Sequence, residues 1–297
     1  MSTHRTNAAE AVSVSLVVPA FNEEARLERG LATAIGYLAR QLVRSELIVA
    51  DDGSSDGTAA AAESAFARAR PLPDAPGLAP VSCRVLRLPH RGKGAALRSG
   101  VLVSSARDVV IFSDADFSAP IEEGPKLWGP ILRGECDVAV GSRAAPGARI
   151  LVHQSRGREL AGRAFNSAVR LLTGLHVLDT QCGFKAYRAS LARAAFAASR
   201  IDGFSFDVEV LYLCRRLGAR IAEVPVRWSH CEGSRVRPLR DGLGMLIDVA
   251  WIRAQDARGR YGAALRRGRR WRESSGPRAQ GGLGGPVPSG RAVTELP

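Results

Sequence analysis

Short apolar segments alternate with helix-like segments over the first half of the chain, and this alternation limits the fold more than any other feature. The apolar segments cover residues 14–19, 47–50, 84–88, 109–113 and 137–141. Each of the first four precedes a segment in which apolar residues recur at helical spacing or alanine is abundant. Strands that alternate with helices are typical of an α/β fold. We therefore predict a mostly parallel central sheet flanked by helices.

The pattern changes after residue 141. Helices are predicted over 156–172, 188–198, 206–217 and 239–252, with a strand over 221–228 and a strand or loop over 180–186. We predict a flexible arm over 1–12 and one domain over 13–253, divided into halves at 13–143 and 144–253. The basic, glycine- and proline-rich segment 254–297 has no periodicity and is predicted to be a disordered tail.

The charge of the chain is strongly positive, with 42 Lys and Arg against 29 Asp and Glu and a formal net charge of +13. Residues 253–272 alone hold eight Arg and one Asp. Such a segment suits an anionic partner, either nucleic acid or a membrane surface. Because the core has no basic helix interleaved with aromatic residues, we do not expect nucleic-acid binding.

The sequence does not predict a disulfide-bonded, zinc-binding, secreted or membrane-spanning protein. The five cysteines are scattered without a CxxC pair or zinc-like spacing, which is typical of reduced thiols in the cytoplasm. No run of 18 apolar residues is present, so a transmembrane helix is not predicted, and the N-terminal residues lack the apolar core of a signal peptide. We expect a cytoplasmic protein whose contact with a membrane is peripheral.

A short segment that contains polar residues follows each predicted strand. The segments are Pro19-Ala20-Phe21-Asn22-Glu23, Asp51-Asp52-Gly53-Ser54, Arg91-Gly92-Lys93-Gly94, Asp114-Ala115-Asp116 and Gly141-Ser142-Arg143. Ligands of open α/β sheets bind at the carboxyl ends of the strands, so these residues predict one polar pocket. The segment DDGSSDGT is equally typical of a turn followed by a helix N-cap.

The Asp114 and Asp116 pair is the most informative of these groups. Two carboxylates at the end of a buried strand suit Mg²⁺ or Mn²⁺ held together with phosphate oxygens. The RGKG segment does not fit a Walker A loop, and no GxGxxG follows the first strand.

These strings together resemble a known family. PAFNEE, DDGSSDGT, RGKGAALRSG and DAD are similar to the family-2 glycosyltransferases, which have the GT-A fold. VGSR, DTQCGFK, FDVE and EVPV with Trp228 resemble the dolichyl-phosphate β-glucosyltransferase branch, over about residues 13–253. The resemblance to dolichyl-phosphate mannose synthases is looser.

The resemblance implies a role for each matching residue. The nucleotide pocket would comprise Pro19, Ala20, Asn22, Glu23, Asp51, Asp52, Lys93, Gly94 and Asp114. Asp52 would face the uracil base, and Asp114 and Asp116 would hold the divalent cation. Asp179 and Gln181 would lie near the donor sugar. The acceptor phosphate would meet Ser142, Arg143, Ser155 and Arg158. Asp114, Asp116, Arg143 and Arg158 are thus the candidate catalytic residues.

The implied reaction moves a hexose, glucose from UDP-glucose, to a polyprenyl or dolichyl phosphate. A phosphate monoester with a second pKa of about 6 is already anionic at neutral pH, so no general base is needed. Direct attack would invert the anomeric centre and give a β-linked product. Three alternatives stay open: a GDP-mannose donor, a soluble phosphorylated acceptor, and a nucleotidyltransferase that releases pyrophosphate.

The eukaryotic glucosyltransferases carry an N-terminal membrane anchor, which the N-terminal residues here do not resemble. We therefore expect peripheral contact with an anionic membrane through helix 239–252, whose apolar residues are bordered by arginines, and through the basic tail. Packing of this helix on the core is the alternative. Of the remaining residues, Asp207 is expected to face the site, Cys182 to be buried, and His90 to have no ligand role.

Overall fold

The protein was analysed as a computed structural model that describes residues 12–41, 43–69, 78–231 and 238–273. Its first half alternates strands and helices as expected. The elements are β1 (Ser13–Ala20), α1 (Glu24–Ala39), β2 (Arg44–Asp51), α2 (Thr58–Arg68), β3 (Val81–Arg87), α3 (Lys93–Val103), β4 (Val109–Phe112), α4 (Gly124–Leu132) and β5 (Val138–Ser142). A short 3-10 helix, Ile121–Glu123, precedes α4.

The second half adds four short strands and five helices within the described residues. Its elements are β6 (Arg149–Val152), α5 (Arg156–Thr173), β7 (Lys185–Arg188), α6 (Ala189–Ala198), α7 (Phe206–Arg216), β8 (Ile221–Pro225), β9 (Arg227–Ser229), α8 (Pro238–Ala257) and α9 (Gly262–Gly268). A 3-10 helix, Arg269–Arg272, follows α9.

Seven strands form the central sheet in the order β3-β2-β1-β4-β7-β5-β8. All pairings are parallel except those of β7, which runs antiparallel to both β4 and β5. The predicted α/β fold with a mostly parallel sheet is confirmed. The segment expected as a strand or loop over 180–186 overlaps β7 only at its last two residues. The segment expected as one strand over 221–228 is divided, because β8 pairs with β5 while β9 pairs with β6 in a second sheet.

Successive side chains of a strand point to opposite faces of the sheet. Both faces are buried here, because each packs in a separate core. In β1, Leu16 and Val18 belong to the core that includes Leu27 of α1. Val17 belongs to the core on the other face with Leu97 of α3. The helices therefore cover the sheet on both sides, and the loops at the carboxyl ends of the strands are left as the place for polar chemistry.

The predicted disorder of residues 254–297 is wrong for the part that the structure describes. The chain stays helical to Ala257, forms α9, and ends in a 3-10 helix. Tyr261, Leu265 and Trp271 are buried in the core beside α6 and α7. These three apolar side chains lie among many arginines, so the segment shows no clear hydrophobic periodicity in the sequence. Residues 274–297 of the tail, and residues 1–11 of the predicted arm, lie outside the described residues.

The helix predicted over 239–252 is present within α8, and Val249 and Ile252 pack in the core. In the described ranges, no helix has both the length and the apolar character needed to cross a membrane.

The buried Tyr187 hydroxyl gives a test of the core. It finds no hydrogen-bond partner in the described part of the chain. Tyr187→Phe removes an unpaired polar group, so we expect the free energy of unfolding to be unchanged or to rise by up to about 1 kcal/mol. Tyr212 is the matched control, because its hydroxyl donates to Asp256 and accepts from Arg253 Nη1 at 2.7 Å.

Tyr212→Phe should lower the free energy of unfolding by about 1–2 kcal/mol. Urea unfolding of the two variants beside the parent chain makes the comparison. Equal losses in both variants would contradict an unpaired hydroxyl at Tyr187.

Candidate active site

The loops after β1 and β2 interlock at the carboxyl edge of the sheet. Asn22 takes a left-handed conformation, with φ of 51°, and its amide N–H donates to Ser54 Oγ at 2.9 Å. Its side-chain Oδ1 accepts from the amide of Ser55 at 2.8 Å. The Glu23 amide donates to Thr58 Oγ1 at 2.7 Å. The two predicted nucleotide loops are therefore held together before any ligand arrives.

The segment DDGSSDGT also bonds to itself, as its composition allows. Asp51 Oδ1 accepts from the Ser54 amide at 3.1 Å and from the Ser54 hydroxyl. Asp56 Oδ1 accepts from the amide of Thr58, the first residue of α2, at 3.0 Å, and from its hydroxyl. Asp51 is buried in the turn, so the carboxylates of Asp51 and Asp56 both stabilise this segment. The expected contact of Asp51 with a nucleotide stays a prediction.

Asp52 holds the loop that contains the RGKG segment. Its carboxylate accepts from the amides of Arg91 and Gly92 at 2.9 and 2.8 Å, and it lies 2.9 Å from His90 Nδ1. The His90 ring stacks on Phe21, with 4.1 Å between ring centroids. Sequence reasoning assigned no role to His90, which joins the loops after β1, β2 and β3. The expected contact of Asp52 with a uracil base stays a prediction.

Asp114 and Asp116 stand where expected, directly after β4. The Asp114 carboxylate contacts Lys93 Nζ at 2.5 Å, which brings the second predicted charged group into the same place. Asp116 Oδ1 accepts from the Ser118 amide at 2.9 Å. Between these residues and α4, Phe117 takes a φ of 47° and packs against Gly30. The strained backbone turns the chain sharply after the two carboxylates.

The charges at this place shift both carboxyl pKa values. Burial would raise the pKa of Asp114, but the nearby cations Lys93, Lys185 and Arg143 together hold that pKa below its ordinary value. Burial, and next the Asp114 carboxylate, raise the pKa of Asp116. The pKa values of the two carboxyl groups are therefore shifted in opposite directions. A cation bound at this place would change the charges that both groups face.

Gly183 of the DTQCGFK segment lies directly against Asp114. A Cβ on Gly183 would come within 2.0 Å of the Asp114 carboxylate. The same segment supplies Lys185, whose ammonium is fully buried and contacts Asp207 Oδ1 at 2.7 Å and the Cys182 carbonyl at 2.5 Å. Burial raises the pKa of Asp207, and Lys185 opposes that rise. Asp207 thus lies under the site, and Lys185 is a charged residue of the site that sequence reasoning missed.

Arg143 and Asp179 form an ion pair with each other. Arg143 Nε and Nη2 donate to the two Asp179 oxygens at 2.7 and 2.8 Å, and the Arg143 amide donates at 3.0 Å. Burial would raise the pKa of Asp179, but Arg143, with a smaller contribution from Lys185, lowers that pKa below its ordinary value. The guanidinium also lies over the Trp228 ring, 5.2 Å from its centroid. The two residues were assigned to different substrates, and the structure brings them together.

Neighbouring elements fix the rest of the DTQCGFK segment. Glu223 of β8 accepts from the amides of Leu178 and Asp179 at 3.0 Å, and Asn166 of α5 accepts from the Thr180 amide at 3.0 Å. The Gln181 side-chain Nε2 is buried without a hydrogen-bond partner among the described residues. A buried donor of this kind carries a free-energy cost that a ligand oxygen would remove.

The three remaining predicted acceptor residues differ in their surroundings. Ser142 is fully buried, and its Oγ accepts from the amides of Ala144 and Ala145 at 3.1 and 2.9 Å, so it shapes the turn after β5. Ser155 and Arg158 lie at the first turn of α5. The contact of these three residues with an acceptor stays a prediction.

Comparison with known proteins agrees with this geometry. Residues 15–196 match the family described as glycosyl transferase family 2. The chain belongs to this family. A Drosophila melanogaster protein named dolichyl-phosphate beta-glucosyltransferase is 32% identical over 82% of this chain and 76% of that protein. The Homo sapiens protein of the same name is 32% identical over 81% of this chain and 74% of that protein.

Solved structures of the Mycobacterium tuberculosis glucosyl-3-phosphoglycerate synthase share the fold. The structure described as a complex with Mn²⁺, UDP-glucose and phosphoglyceric acid is 29% identical, with a TM-score of 0.55 over 81% of this chain and 78% of that one. The fold is therefore GT-A, and the expected membership of family 2 is confirmed.

Asp179 gives a pH test of the site. Its pKa is lowered from the ordinary 3.8, so its ionised form stabilises the protein above about pH 4, and this stabilisation is lost as the pH falls through the lowered value. Asp179→Asn should remove this dependence and lower the free energy of unfolding at pH 7 by about 3 kcal/mol, because Arg143 loses its partner.

Urea unfolding between pH 2.5 and 7, in steps of about half a unit, measures both effects. Glu135→Gln is the control, since Glu135 is an exposed carboxylate whose pKa Arg133 also lowers. That variant should follow the parent curve closely. An Asp179→Asn curve parallel to the parent curve at low pH would contradict the coupling.

Proposed function

We propose that the chain transfers glucose from UDP-glucose to a polyprenyl or dolichyl phosphate with inversion. The observation that carries the proposal is the group formed by Lys93, Asp114 and Asp116 at the carboxyl end of β4, beside the Arg143–Asp179 pair. Relatives about 30% identical over most of the chain are named for dolichyl-phosphate glucosylation. The proposal assigns the two halves of this site to donor and acceptor.

The donor half would take the nucleotide between the loops after β1, β2 and β3. The Phe21–His90 stack is an aromatic surface beside Asp52, where a base would lie, and Pro19 and Ala20 end the strand below it. Lys93 would turn from Asp114 toward the diphosphate. The Gln181 Nε2 donor, which lacks a partner among the described residues, would bond a sugar hydroxyl.

Asp114 and Asp116 fit a divalent cation, because hard carboxylate oxygens are the ligands that Mg²⁺ and Mn²⁺ prefer and Asp116 already feels the charge of Asp114. The described residues contain no group of three or more His, Cys, Asp or Glu side chains that could hold a metal. The donor diphosphate and water would supply the other ligands. A cation bound there offsets the charge of the leaving diphosphate.

The acceptor half would hold a phosphate monoester against the transferred sugar. Arg143 keeps about a quarter of its side chain exposed while paired with Asp179, so its guanidinium is fixed in direction yet reachable. Guanidinium groups bind phosphate by paired hydrogen bonds. Arg158 at the start of α5 would add a second charge. The phosphate is anionic at neutral pH, so its oxygen can attack without a base.

An exposed apolar surface favours a lipid acceptor. Leu243, Ile247 and Trp251 recur at intervals of four along α8 and are 66%, 64% and 38% exposed. Leu160 of the packed neighbour α5 and Leu151 of β6 are 68% and 65% exposed. Apolar side chains on helices with an arginine-rich remainder are typical of surfaces that lie in a membrane interface. We therefore propose peripheral contact with the cytoplasmic face of an anionic membrane.

A soluble phosphorylated acceptor is the second candidate. The structural neighbour is described in complexes with UDP-glucose and phosphoglyceric acid or glycerol 3-phosphate. Both small molecules carry a phosphate monoester, as a lipid phosphate does. The reaction at the sugar would be the transfer of glucose to a phosphorylated molecule in both cases, and the apolar surface would then have another use.

Asp116→Ala tests the reaction. Purified protein with UDP-glucose, Mn²⁺ and a short polyprenyl phosphate should release UDP, and the variant should lose at least about a hundredfold in rate, because it removes a cation ligand and its transition-state charge stabilisation. Glu122→Ala is the matched control, since Glu122 is an exposed carboxylate before α4. It should keep the parent rate.

Parallel reactions with 3-phosphoglycerate separate the two acceptors. UDP release with that acceptor alone would replace the lipid proposal by the second candidate. A product that keeps the α configuration in its NMR spectrum would contradict inversion. No release with either acceptor would contradict the proposed activity.

The double variant Leu243→Ser, Ile247→Ser tests the membrane surface. It should sediment with anionic vesicles less than half as well as the parent at low salt, because two exposed apolar side chains contribute roughly 1.5–3 kcal/mol each when fully buried. Its rate with a short, dispersed polyprenyl phosphate should stay unchanged.

Leu102→Ser, Val103→Ser is the matched control, with side chains 43% and 44% exposed at the end of α3. This control should bind vesicles as the parent does. Equal binding by all three proteins would place membrane contact elsewhere.

A further inference from the structure

The loop between α6 and α7 lies directly against the start of α3, where Lys93 is found. The Asp202 carbonyl accepts from the amides of Gly94 and Ala95 at 2.7 and 3.3 Å. A Cβ on Gly94 would come within 2.6 Å of the Ile201 carbonyl, and one on Gly92 within 2.5 Å of the Asp202 carbonyl. The two backbones therefore touch, and a shift of this loop moves the first turn of α3.

The Asp202 side chain strengthens the same contact. Its carboxylate oxygens accept from Arg91 Nη2 at 2.7 Å and from Arg98 Nη2 at 2.5 Å. Arg98 Nη2 also donates to the Ile201 carbonyl at 3.1 Å. Arg91 precedes Lys93 and Arg98 follows it, so both sides of the lysine are tied to one loop.

Glu209 holds this loop from the other side. One of its carboxylate oxygens accepts from the amides of Arg200 and Ile201 at 2.9 and 2.8 Å. The other accepts from the Tyr261 hydroxyl at 2.6 Å. Glu209 and Tyr261 are both fully buried. Tyr261 lies just before α9, in the segment that the sequence predicts to be disordered.

These contacts form one continuous series from the C-terminal segment to the carboxylate after β4. We propose that Glu209 and Tyr261 are positioning residues for Lys93, and that docking of the C-terminal segment thereby sets the affinity for the nucleoside diphosphate. The second part rests on the proposed function, in which Lys93 approaches the diphosphate. The ammonium of Lys93 then reaches Asp114 or the ligand only when the loop is in place.

A purely structural role explains Glu209 poorly. Its hydrogen-bond donors in the described chain are neutral, two amides and a hydroxyl, so the carboxylate is buried without an ion pair. Burying a carboxylate in this way costs more free energy than burying an apolar side chain of similar volume. The gain is geometric, because three directed hydrogen bonds fix the loop at one distance from α7 and α9.

Hydrogen–deuterium exchange tests the positioning without any ligand. Tyr261→Phe should speed exchange in peptides that cover residues 90–97 and 199–203 by about fivefold, the change expected for a hydrogen bond of about 1 kcal/mol. Tyr212→Phe is the matched control, because it also loses a hydroxyl-to-carboxylate bond, to Asp256, but Tyr212 has no bond to the 199–203 loop. Its exchange there should equal that of the parent, and equal exchange in all three proteins would overturn the proposal.

Calorimetric titration with UDP and Mn²⁺ tests the effect on binding. Tyr261→Phe should raise the dissociation constant for UDP about fivefold, while Tyr212→Phe leaves it unchanged. If Tyr261→Phe speeds exchange but binds UDP as tightly as the parent, the proposed effect on affinity is overturned. The proposed positioning of the 199–203 loop would then still be supported. Absence of UDP binding in the parent would contradict the proposed function, and the exchange result would still decide the contact.

Discussion

A row of alternating charges under the carboxyl edge of the sheet is the constraint on which the site depends. Lys185 and Asp207 are paired with 0% and 3% of their side chains exposed, and the Lys93–Asp114 pair lies nearer the surface at 23% and 35%. Lys185 is not stable there alone, because loss of one partner from a buried pair costs about 3–5 kcal/mol. The cost is smaller for Lys93, because water screens its more exposed pair. Lys185, Lys93 and Asp207 lie on β7, at the start of α3 and at the start of α7. The three elements must therefore meet in one arrangement. The fold is therefore constrained at the place where the proposed reaction would occur. The Lys93–Asp114 pair is partly exposed, so Lys93 would be able to change partners there.

The residues around this row of charges are also held by contacts within the protein. Most residues assigned to ligands bond first to each other: Asp52 to the loop before Lys93, Asn22 to the turn after β2, and Arg143 to Asp179. A site built in this way has already lost most of its side-chain freedom, so less entropy is lost on binding. Gln181 differs, since its amide nitrogen is buried without a partner in the described chain, and this makes it the position at which a ligand gains most from a new hydrogen bond.

The sequence predicted the parallel strands and the helices between them well, because each lies in a local apolar period. It also predicted that Asp114 and Asp116 follow a buried strand, and they lie directly after β4. Their role as cation ligands stays a prediction. The antiparallel direction of β7 and the pairing of β6 with β9 depend on contacts distant in the chain, which no local period records. The same applies to Arg143 and Asp179, 36 positions apart. The C-terminal segment was missed because three buried side chains among many arginines carry too weak a pattern, although Tyr261 and Leu265 stand one helical turn apart.

The docked C-terminal segment and the apolar residues of α8 belong to one continuous stretch of chain, and this connects the two unusual surfaces of the protein. α8 presents Leu243 and Ile247 outward in its first half, buries Val249 and Ile252 further on, and is followed at once by Tyr261. Its Asp248 accepts from Ser205 at 2.7 Å, in the turn that starts α7 and lies three residues after Asp202. A force on the exposed half of α8 would therefore reach the loop that holds Lys93 by two routes, through Ser205 and through Tyr261. In the function proposed above, this connection would couple attachment of α8 to a membrane with binding of the donor.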